Sequence, residues 1–512
     1  MLAIRTLSSL TLLSRLAGLV REIVVTALIG PGPIMDAYTT ALKLPNMFRQ
    51  MFAEGALSAS FIPLYTEVQE NQGESAAKVF TDRVASVLLL GIGAATAAAI
   101  VFMEPLIGLL RFEEGSQSFE LTVLYTRIMS VYLLCMVMAS LLTGVLNAKA
   151  HFAAGAFAPI FLNVCIIAGL VGIYFISRPD QEGLGLTLAI SVAVAGTIQV
   201  GFLWLVAVQK FKFRLGLRAP RMTPDVQRLF RLMGPGMLAA GGLQLNTLVG
   251  LYLASGGTNE LSYLGLAERL YMLPVGLIAV AFGVAALPQL SAFFANNQRP
   301  QAIETINTGA ELALVIAVPA ACGLWALDLP IVKLLFERGQ TTDQDSVAIA
   351  ALLSVFVLAL PALALQRVFN ASFHSRKLMR LPMVLTLLGV FVNVVVALWL
   401  YERLGVVAIP IALAVSGWVQ MLLLAVLVWR DGLLFPTPGR LWRAFAVLIA
   451  GAIMAICLKW LWAQAAPIVG DSSLLLLVAT AALVLAGAVI YFAALIPLGG
   501  LSPAVWALIR RR

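Results

Sequence analysis

Apolar runs of roughly 20 residues recur from one end of the chain to the other, and few folds can accommodate them. A run of that length is what an α-helix needs to cross the hydrocarbon core of a bilayer. Of the 512 residues, 61% are hydrophobic and only 12% are charged, whereas soluble domains carry about 25% charged residues. The short alternating segments of an outer-membrane barrel are absent. The sequence therefore predicts an all-α polytopic membrane protein.

The apolar runs predict about fourteen transmembrane helices. Arg5 precedes the first run and no cleavage site follows it, so we expect this run to remain as a helix and not to be a signal peptide. The predicted spans cover 7–29, 35–66, 84–110, 121–147, 154–177, 185–209, 227–255, 261–293, 305–334, 346–373, 380–401, 405–429, 441–465 and 473–496.

Lysine and arginine are distributed unevenly between the two sides of these spans. If the N-terminus lies in the cytoplasm, 21 of the 34 lysine and arginine residues fall in cytoplasmic segments and six fall in external segments. Cytoplasmic segments of membrane proteins carry such an excess. The pattern predicts a plasma (inner) membrane protein with both termini in the cytoplasm. It also accounts for the net charge of +9 without a nucleic-acid partner.

Two halves of the chain resemble each other, with successive offsets of 225, 223 and 221 residues. Spans one to six correspond to spans seven to twelve, which is typical of transporters whose two lobes enclose a central cavity. Spans thirteen and fourteen have no counterpart. The matching segments are 55–68 with 283–294, 146–152 with 369–375, and 193–200 with 414–421.

This repeat predicts four parts. An N-lobe covers residues 1–209, and a basic cytoplasmic linker covers 210–226. A C-lobe covers 227–429, and two additional spans occupy 430–512.

Seven cations remain within the predicted spans once those near span ends are counted with the inner and outer segments, and four of the seven lie in the first two spans. Ionisable side chains at bilayer depth are costly unless they face a partner or a polar cavity. We therefore hypothesise that the chain binds an anion within the membrane. Arg127 and Arg367 lie close to span ends, where long cationic side chains reach the interface. The seven are Arg15, Arg21, Lys43, Arg49, Arg127, Arg269 and Arg367.

Arg15 and Arg21 are six residues apart, about 240° around an ideal helix. A bend at Gly18 would turn both toward one cavity. The alternatives are that Arg15 extends to the cytoplasmic surface and that Arg21 forms a structural ion pair with Glu22.

Asp36 and Lys43 are seven residues apart and share a helix face, so they could pair along it. Arg49 follows Pro45, and a planar guanidinium suits a diphosphate better than an ammonium does. In the second half, Glu268 and Arg269 are expected to face this cluster across the cavity. The alternative is a buried pair that holds helices together.

Three segments resemble the MurJ/MviN lipid II flippases of the multidrug/oligosaccharidyl-lipid/polysaccharide exporter superfamily. They are SRLAGLVRE (14–22), DAYTTALKLPNMFRQMFAEGALSASFIPLY (36–65) and AERL (267–270). The resemblance implies alternating-access transfer of undecaprenyl-diphosphate-disaccharide-pentapeptide (lipid II) to the outer leaflet. It also implies that Arg15, Arg21, Asp36, Arg49 and Arg269 are functional cavity charges, and that the last two helices border a groove for the lipid tail.

The chain departs from the family pattern at Gln50, where many relatives have a second arginine. The sodium-site carboxylate of some relatives has no match in span seven, which offers Gln244 and Asn246. No coupling ion is therefore assigned, and the membrane potential is an alternative energy source. We expect no cofactor and no metal site. The expected partners are lipid II, anionic membrane lipids bound by the basic segments 210–231 and 510–512, and cell-wall synthesis machinery.

No enzyme motif is visible, since the chain has no Walker A motif, no GxSxG and no metal-spaced cluster. Three alternatives remain open. A multidrug or cation antiporter would share the architecture but needs carboxylates for its substrates. A flippase for another polyprenyl-diphosphate oligosaccharide would need the same charges. A cell-wall scaffold without transport would show no substrate-dependent change in cavity accessibility.

Overall fold

The apolar sequence forms helices along nearly the whole chain in the computed structural model, which describes residues 2–470 and 472–510. No β-strand occurs in these two ranges. Residues group by contact into two units, each described by itself below. Within the two ranges, side chains are not described at residues 2–8, 11–12, 53–56, 58–59, 238–239, 277–286 and 507–510.

Unit 1 comprises Met1–Ser262 and Gly339–Thr341. Its helices are α1 (Leu2–Leu28), α2 (Pro33–Arg49), α3 (Ser58–Gln72), α4 (Glu74–Val101), α5 (Met103–Ile107), α6 (Gln117–Ala148), α7 (Ala153–Phe157), α8 (Pro159–Ile176), α9 (Gln181–Phe211), α10 (Pro224–Ala254) and the first residues of α11 (Glu260–Ala295).

Unit 2 comprises Tyr263–Arg338 and Thr342–Arg512. Its helices are the rest of α11, α12 (Arg299–Ala326), α13 (Asp328–Phe336), α14 (Asp343–Phe356), α15 (Leu360–Ser375), α16 (Arg380–Leu404), α17 (Ala408–Arg430), α18 (Pro438–Val469), α19 (Ser473–Leu495) and α20 (Pro503–Arg510).

The predicted all-α membrane class is confirmed, and each predicted span lies mostly on helix. The span 84–110 runs beyond α4 and α5, the span 305–334 crosses the break between α12 and α13, and the number of fourteen spans stays a prediction. Among the described residues, nine helical segments are long and apolar enough to cross a membrane, or ten if the bent α10 is one span. One of the nine, Arg380–Arg430, holds two predicted spans as α16 and α17. The first, second and eighth predicted spans, which carry most of the intramembrane charges, are helical but not among the nine.

The second predicted span is not one regular helix. A π-helical segment, Gln50–Leu57, separates α2 from α3. It begins five residues after Pro45, which lies inside α2 and lacks the N–H that a regular helix would donate. π-Helical turns are rare and occur frequently at functional sites.

The core of unit 1 is built around α6, which packs on α2, α3, α4 and α9. Small residues permit the closest approaches. A Cβ atom at Gly185 of α9 would lie 2.0 Å from the Tyr125 hydroxyl of α6, so the two helices could not pack this closely with any other residue there. Tyr125 and Tyr65 are fully buried.

In unit 2, α12 occupies the corresponding central place and packs on α15 and α18. The appended helices α18 and α19 pack on each other, and the Tyr491 hydroxyl of α19 donates to the Val315 carbonyl of α12 at 3.1 Å. Much of the outer face of α19 is exposed and apolar, including Leu485 and Val489. This is the composition of a surface that faces lipid tails.

The linker between α9 and α10 is held on α4. The Asp82 carboxylate, 1% exposed, accepts from the Gly216 N–H at 2.8 Å and from the Lys78 ammonium at 2.6 Å. Arg218 donates its N–H to the Ser86 hydroxyl at 2.9 Å, and its guanidinium lies 3.5 Å from Asp82. The predicted basic linker is therefore an ordered strap over the N-terminal half of α4.

The contact units divide the chain at Ser262, beyond the predicted linker. The reason is that α10 packs on the π-helical segment, α3 and α4 of unit 1. The division into repeats and appendage rests on sequence matches and stays a prediction. Residues 511–512 of the predicted basic C-terminus lie outside the described part of the chain, as does the side chain of Arg510.

Candidate functional site

Of the two cations of α1 whose side chains the structure describes, Arg15 and Arg21, Arg21 is the more deeply buried. Its side chain is 4% exposed, and its Nη2 donates to the Glu22 carboxylate, which is 6% exposed. A buried ion pair is retained only when its members have hydrogen-bond partners, because each charge has lost its hydration. The structure thus contains the Arg21–Glu22 ion pair of the alternative prediction. The Arg21 Nε remains a donor without an acceptor among the described residues.

Arg15 lies in different surroundings. It is exposed, while Arg21 is buried, as expected for residues six apart on a regular helix. The helix α1 continues through Gly18, which faces the Asn163 amide of α8 at 3.9 Å from its would-be Cβ. The structure therefore does not bring Arg15 and Arg21 together.

Asp36 has a partner that the sequence pattern did not indicate. Its buried carboxylate accepts from the backbone N–H of Ser262 at 2.8 Å and from the Ser262 hydroxyl. Ser262 lies in the first turn of α11, where backbone N–H groups lack helical partners and favour a negative charge. Asp36 therefore caps α11, in place of the predicted pairing with Lys43 or a cavity arginine.

Lys43 and Arg49 are half-buried residues in the second part of α2. The Arg49 Nε donates to the Asn46 side-chain oxygen at 2.7 Å, which orients the guanidinium just before the π-helical segment. Directly after it, Gln50 accepts from the Gln244 amide of α10 at 3.0 Å. The residue that departs from the family pattern is thus engaged in helix packing.

Two further polar residues, Tyr132 and Gln199, lie near Arg21 and Arg49, and neither was predicted from the sequence. Tyr132 of α6 is 4% exposed, and its phenol lies beside Gln199 of α9 and within electrostatic range of Arg21 and Arg49. Gln199 is 2% exposed. The available signal for Gln199 was a glutamine inside the otherwise apolar repeat segment 193–200.

Glu268 and Arg269 lie in unit 2 on α11, the first half-buried and the second exposed. Their predicted position opposite Arg49 stays a prediction. In unit 1, Arg21 is paired with Glu22, and Tyr132 lies beside Gln199 and within electrostatic range of Arg21 and Arg49. The N–H and O–H groups of these residues, two of them cationic, can donate hydrogen bonds to the oxygens of an anion.

Comparisons with known proteins agree with each other. A family model described as "Lipid II flippase MurJ" matches residues 25–480. A "Probable lipid II flippase MurJ" of Rhizobium meliloti (strain 1021) is 37% identical over 97% of this chain and 94% of its own length. A protein of the same description from Rhizobium tropici is 34% identical over 92% and 89%.

Solved structures show the same fold. A "Lipid II flippase MurJ, inward closed conformation" has a TM-score of 0.78 at 21% identity, covering 96% of this chain and 99% of that one. An inward-facing multidrug resistance MATE family transporter of the MOP superfamily has a TM-score of 0.65 at 15% identity, covering 89% and 99%. These likenesses concern the fold alone.

Proposed function

The chain belongs to the lipid II flippase MurJ family, and from this membership we propose that it moves lipid II from the cytoplasmic to the outer leaflet of the bacterial plasma membrane by alternating access. It is a transporter and not an enzyme. The role in peptidoglycan synthesis follows from the substrate, because lipid II carries the disaccharide-pentapeptide unit of the wall.

The observation that supports this proposal best is the buried Arg21 of α1, set among the donors Arg49, Tyr132 and Gln199. A diphosphate loses its hydration when it leaves water and cannot cross hydrocarbon unaided. Guanidinium and amide donors replace that hydration at bilayer depth. We assign the diphosphate to Arg21 and Arg49 of unit 1. Arg15 and Lys43 of unit 1, and Glu268 and Arg269 of unit 2, stay predicted substrate residues whose contact with the diphosphate depends on another state of the transport cycle. Movement of the anion outward is favoured by an inside-negative potential, by about 2.3 kcal/mol per charge per 100 mV.

The proposal is tested by depleting the protein in its own cells and measuring lipid-linked precursors in each leaflet. We expect lipid II to accumulate on the cytoplasmic side while other polyprenyl-diphosphate oligosaccharides keep their distribution. If a different lipid-linked oligosaccharide accumulated on the cytoplasmic side, that oligosaccharide would be the substrate in place of lipid II. Unchanged distributions of all precursors would contradict the transport function.

We further propose that both termini and the strap between α9 and α10 lie in the cytoplasm. Exposed cations of the strap alternate with exposed apolar side chains, among them Arg218 and the 73% exposed Leu217. This combination suits the head-group region of a leaflet rich in anionic lipid. Contact with the cell-wall synthesis machinery, and a groove for the lipid tail beside α18 and α19, stay predictions.

Orientation has a direct test. Single cysteines introduced at 217 and at 115 in a background lacking the four native cysteines should react oppositely with a membrane-impermeant thiol reagent. We expect labelling of intact spheroplasts at 115 and labelling at 217 only after permeabilisation. The reverse pattern would place the basic strap outside and contradict the orientation.

Capping by Asp36 leads to another prediction. Since Asn and Asp are equally good helix caps, Asp36→Asn should retain most of the activity, whereas Asp36→Ala should lose the cap at a cost of about 0.5–2 kcal/mol. Complementation of a depleted strain and the thermal unfolding midpoint, at matched membrane abundance, measure the two effects. If Asn is as damaging as Ala, the negative charge itself is required and the predicted charge network is supported over capping.

A further inference from the structure

The segment between α17 and α18, residues 431–437, is held on α12 much as the strap between α9 and α10 is held on α4. We call this segment the second strap. Asn307 of α12 donates to the Leu433 carbonyl at 2.9 Å and accepts from the Phe435 N–H at 3.1 Å. One side chain, 2% exposed, thus satisfies both a carbonyl and an N–H of the second strap.

Asn307 occupies the place of Asp82 in the predicted internal repeat. The two positions are 225 residues apart, the first of the offsets between the matching halves, and Asp82 is 1% exposed. Each strap also ends in a Thr–Pro pair at which the next helix begins, Thr223–Pro224 for α10 and Thr437–Pro438 for α18. The segments that follow the sixth and the twelfth predicted span are therefore built alike.

The two holding side chains differ in charge, and their neighbours differ in the same sense. In unit 1 the Asp82 carboxylate lies near the cations of Lys78 and Arg218. At the matching places unit 2 has Ile303 and Phe435, which carry no charge. A buried carboxylate without a cation is costly, so a neutral amide suits the second strap.

The first turns of α18 are joined to α12 by a network of ion pairs. Glu311 of α12, 14% exposed, lies 2.7 Å from the Arg443 guanidinium and 3.4 Å from that of Arg440. Arg440 also binds Glu304 at 3.0 Å. Several charges that share partners in this way hold a geometry better than one isolated surface pair does.

The contact of α12 with the appended helices continues along their length. A Cβ at Gly451 of α18 would lie 2.8 Å from the Val318 Cγ1 and 3.1 Å from the Cys322 Sγ of α12. Near the far end, the Lys459 ammonium of α18 lies 3.5 Å from the ring centre of Trp325. Apolar side chains of α12, α18 and α19 form one buried cluster between these points. Such close packing leaves little room for one helix to slide on another.

We propose that the second strap and the contacts along α12 fix α18 and α19 to unit 2, so that the appended pair keeps its place on α12 throughout the transport cycle. Asn307 is the positioning residue that determines where α18 begins. The appended pair is thus a fixed wall and not a moving gate. The transport cycle rests on the proposed function, whereas the fixed attachment rests on the contacts within unit 2.

The close approach at Gly451 offers a direct test, because the native Cys322 lies opposite. A Cβ at 451 would lie 3.9 Å from the Cys322 Cβ. Disulfides require about 3.5–4.5 Å between these atoms. Gly451→Cys is combined with Val318→Ala, which makes room, and with alanine at the other three cysteines, Cys135, Cys165 and Cys457. We expect the oxidised protein to move lipid II in cells as well as the reduced protein does.

Loss of transport on oxidation, restored by dithiothreitol, would overturn the fixed attachment. Gly451→Cys with Cys322→Ala cannot form the bond and controls for oxidation itself. If the reduced variant is inactive, the rate of disulfide formation in nanodiscs decides. A rate that undecaprenyl diphosphate leaves unchanged supports the proposal, and a changed rate contradicts it. A wild-type protein that moves no lipid II ends the proposed function, while the rate comparison still measures the attachment.

Hydrogen exchange tests the role of Asn307. We expect Asn307→Leu to speed exchange of the amides in 431–437 about tenfold, since both hydrogen bonds to the second strap are lost, while exchange in α6 stays unchanged. Asn307→Asp cannot donate to Leu433 and adds an unpaired buried charge, so it should speed exchange further. Thr308→Ala removes only a hydroxyl bonded to Glu304 of the same helix and is the matched control. Wild-type exchange in Asn307→Leu would refute the positioning role.

Discussion

Replacing Arg21 with alanine is expected to abolish complementation of a depleted strain. The substitution removes the cation that neutralises the buried Glu22 carboxylate, and removing one member of a buried ion pair costs about 3–5 kcal/mol. It also removes the donors that we assign to the diphosphate. Both effects act in the same direction, so complementation, membrane abundance and anion binding must be measured together.

A double substitution separates the two effects of Arg21. Arg21→Gln with Glu22→Gln keeps the shapes and leaves no isolated charge, so the fold should recover while binding of undecaprenyl diphosphate stays lost. Arg127, which donates to the Ile100 carbonyl at 3.1 Å, is the control, and Arg127→Ala should retain activity. Full activity of the double variant would show that Arg21 serves the fold alone.

Arg269 gives the second large effect. If its guanidinium binds the diphosphate through two parallel hydrogen bonds, Arg269→Lys should fail nearly as badly as Arg269→Ala, because an ammonium lacks the planar pair of donors. We expect at least a tenfold loss of transport for both variants, corresponding to a charge-assisted hydrogen bond. Flipping in intact cells at equal protein abundance is the measurement.

Pairing of Arg269 with Glu268 alone predicts a different pattern. Lysine would then substitute well, and Glu268→Gln combined with Arg269→Gln would partly restore function. Arg338, which is exposed and donates to the Leu334 carbonyl, should tolerate alanine. Full activity of Arg269→Lys would contradict direct binding of the phosphates by this arginine.

Much of the fold could be predicted from the sequence, because periodic apolar runs determine which segments cross a membrane. The span predicted at 121–147 lies inside α6, Gln117–Ala148. The π-helical segment Gln50–Leu57 could not be predicted, since its residues form an ordinary apolar helical pattern. Only the nearby Pro45 indicated an irregularity.

The candidate site was predicted less completely, and the reason is the distance along the chain between its partners. Asp36 and Ser262 are separated by 226 residues, so no local spacing indicates their contact. Charge alone directed attention to Arg21, whereas Gln199 is uncharged and lies in an apolar helix. Its position beside Tyr132 becomes visible only when α6 and α9 are packed together, which a sequence does not record.

The strap over α4 has a mechanical consequence. Gly216 and Arg218 fasten it to Asp82 and Ser86, which leaves five residues, 219–223, before α10 begins at Pro224. Fully extended, five residues reach about 18 Å at most. The strap is thus a short tether that limits how far the start of α10 can travel from Asp82 and Ser86 of α4. Asp82 and Ser86 together set the length of that tether. Loss of both would free the segment back to Phe213, whose N–H donates to the Ala207 carbonyl, and would lengthen the free segment from five residues to the ten residues 214–223.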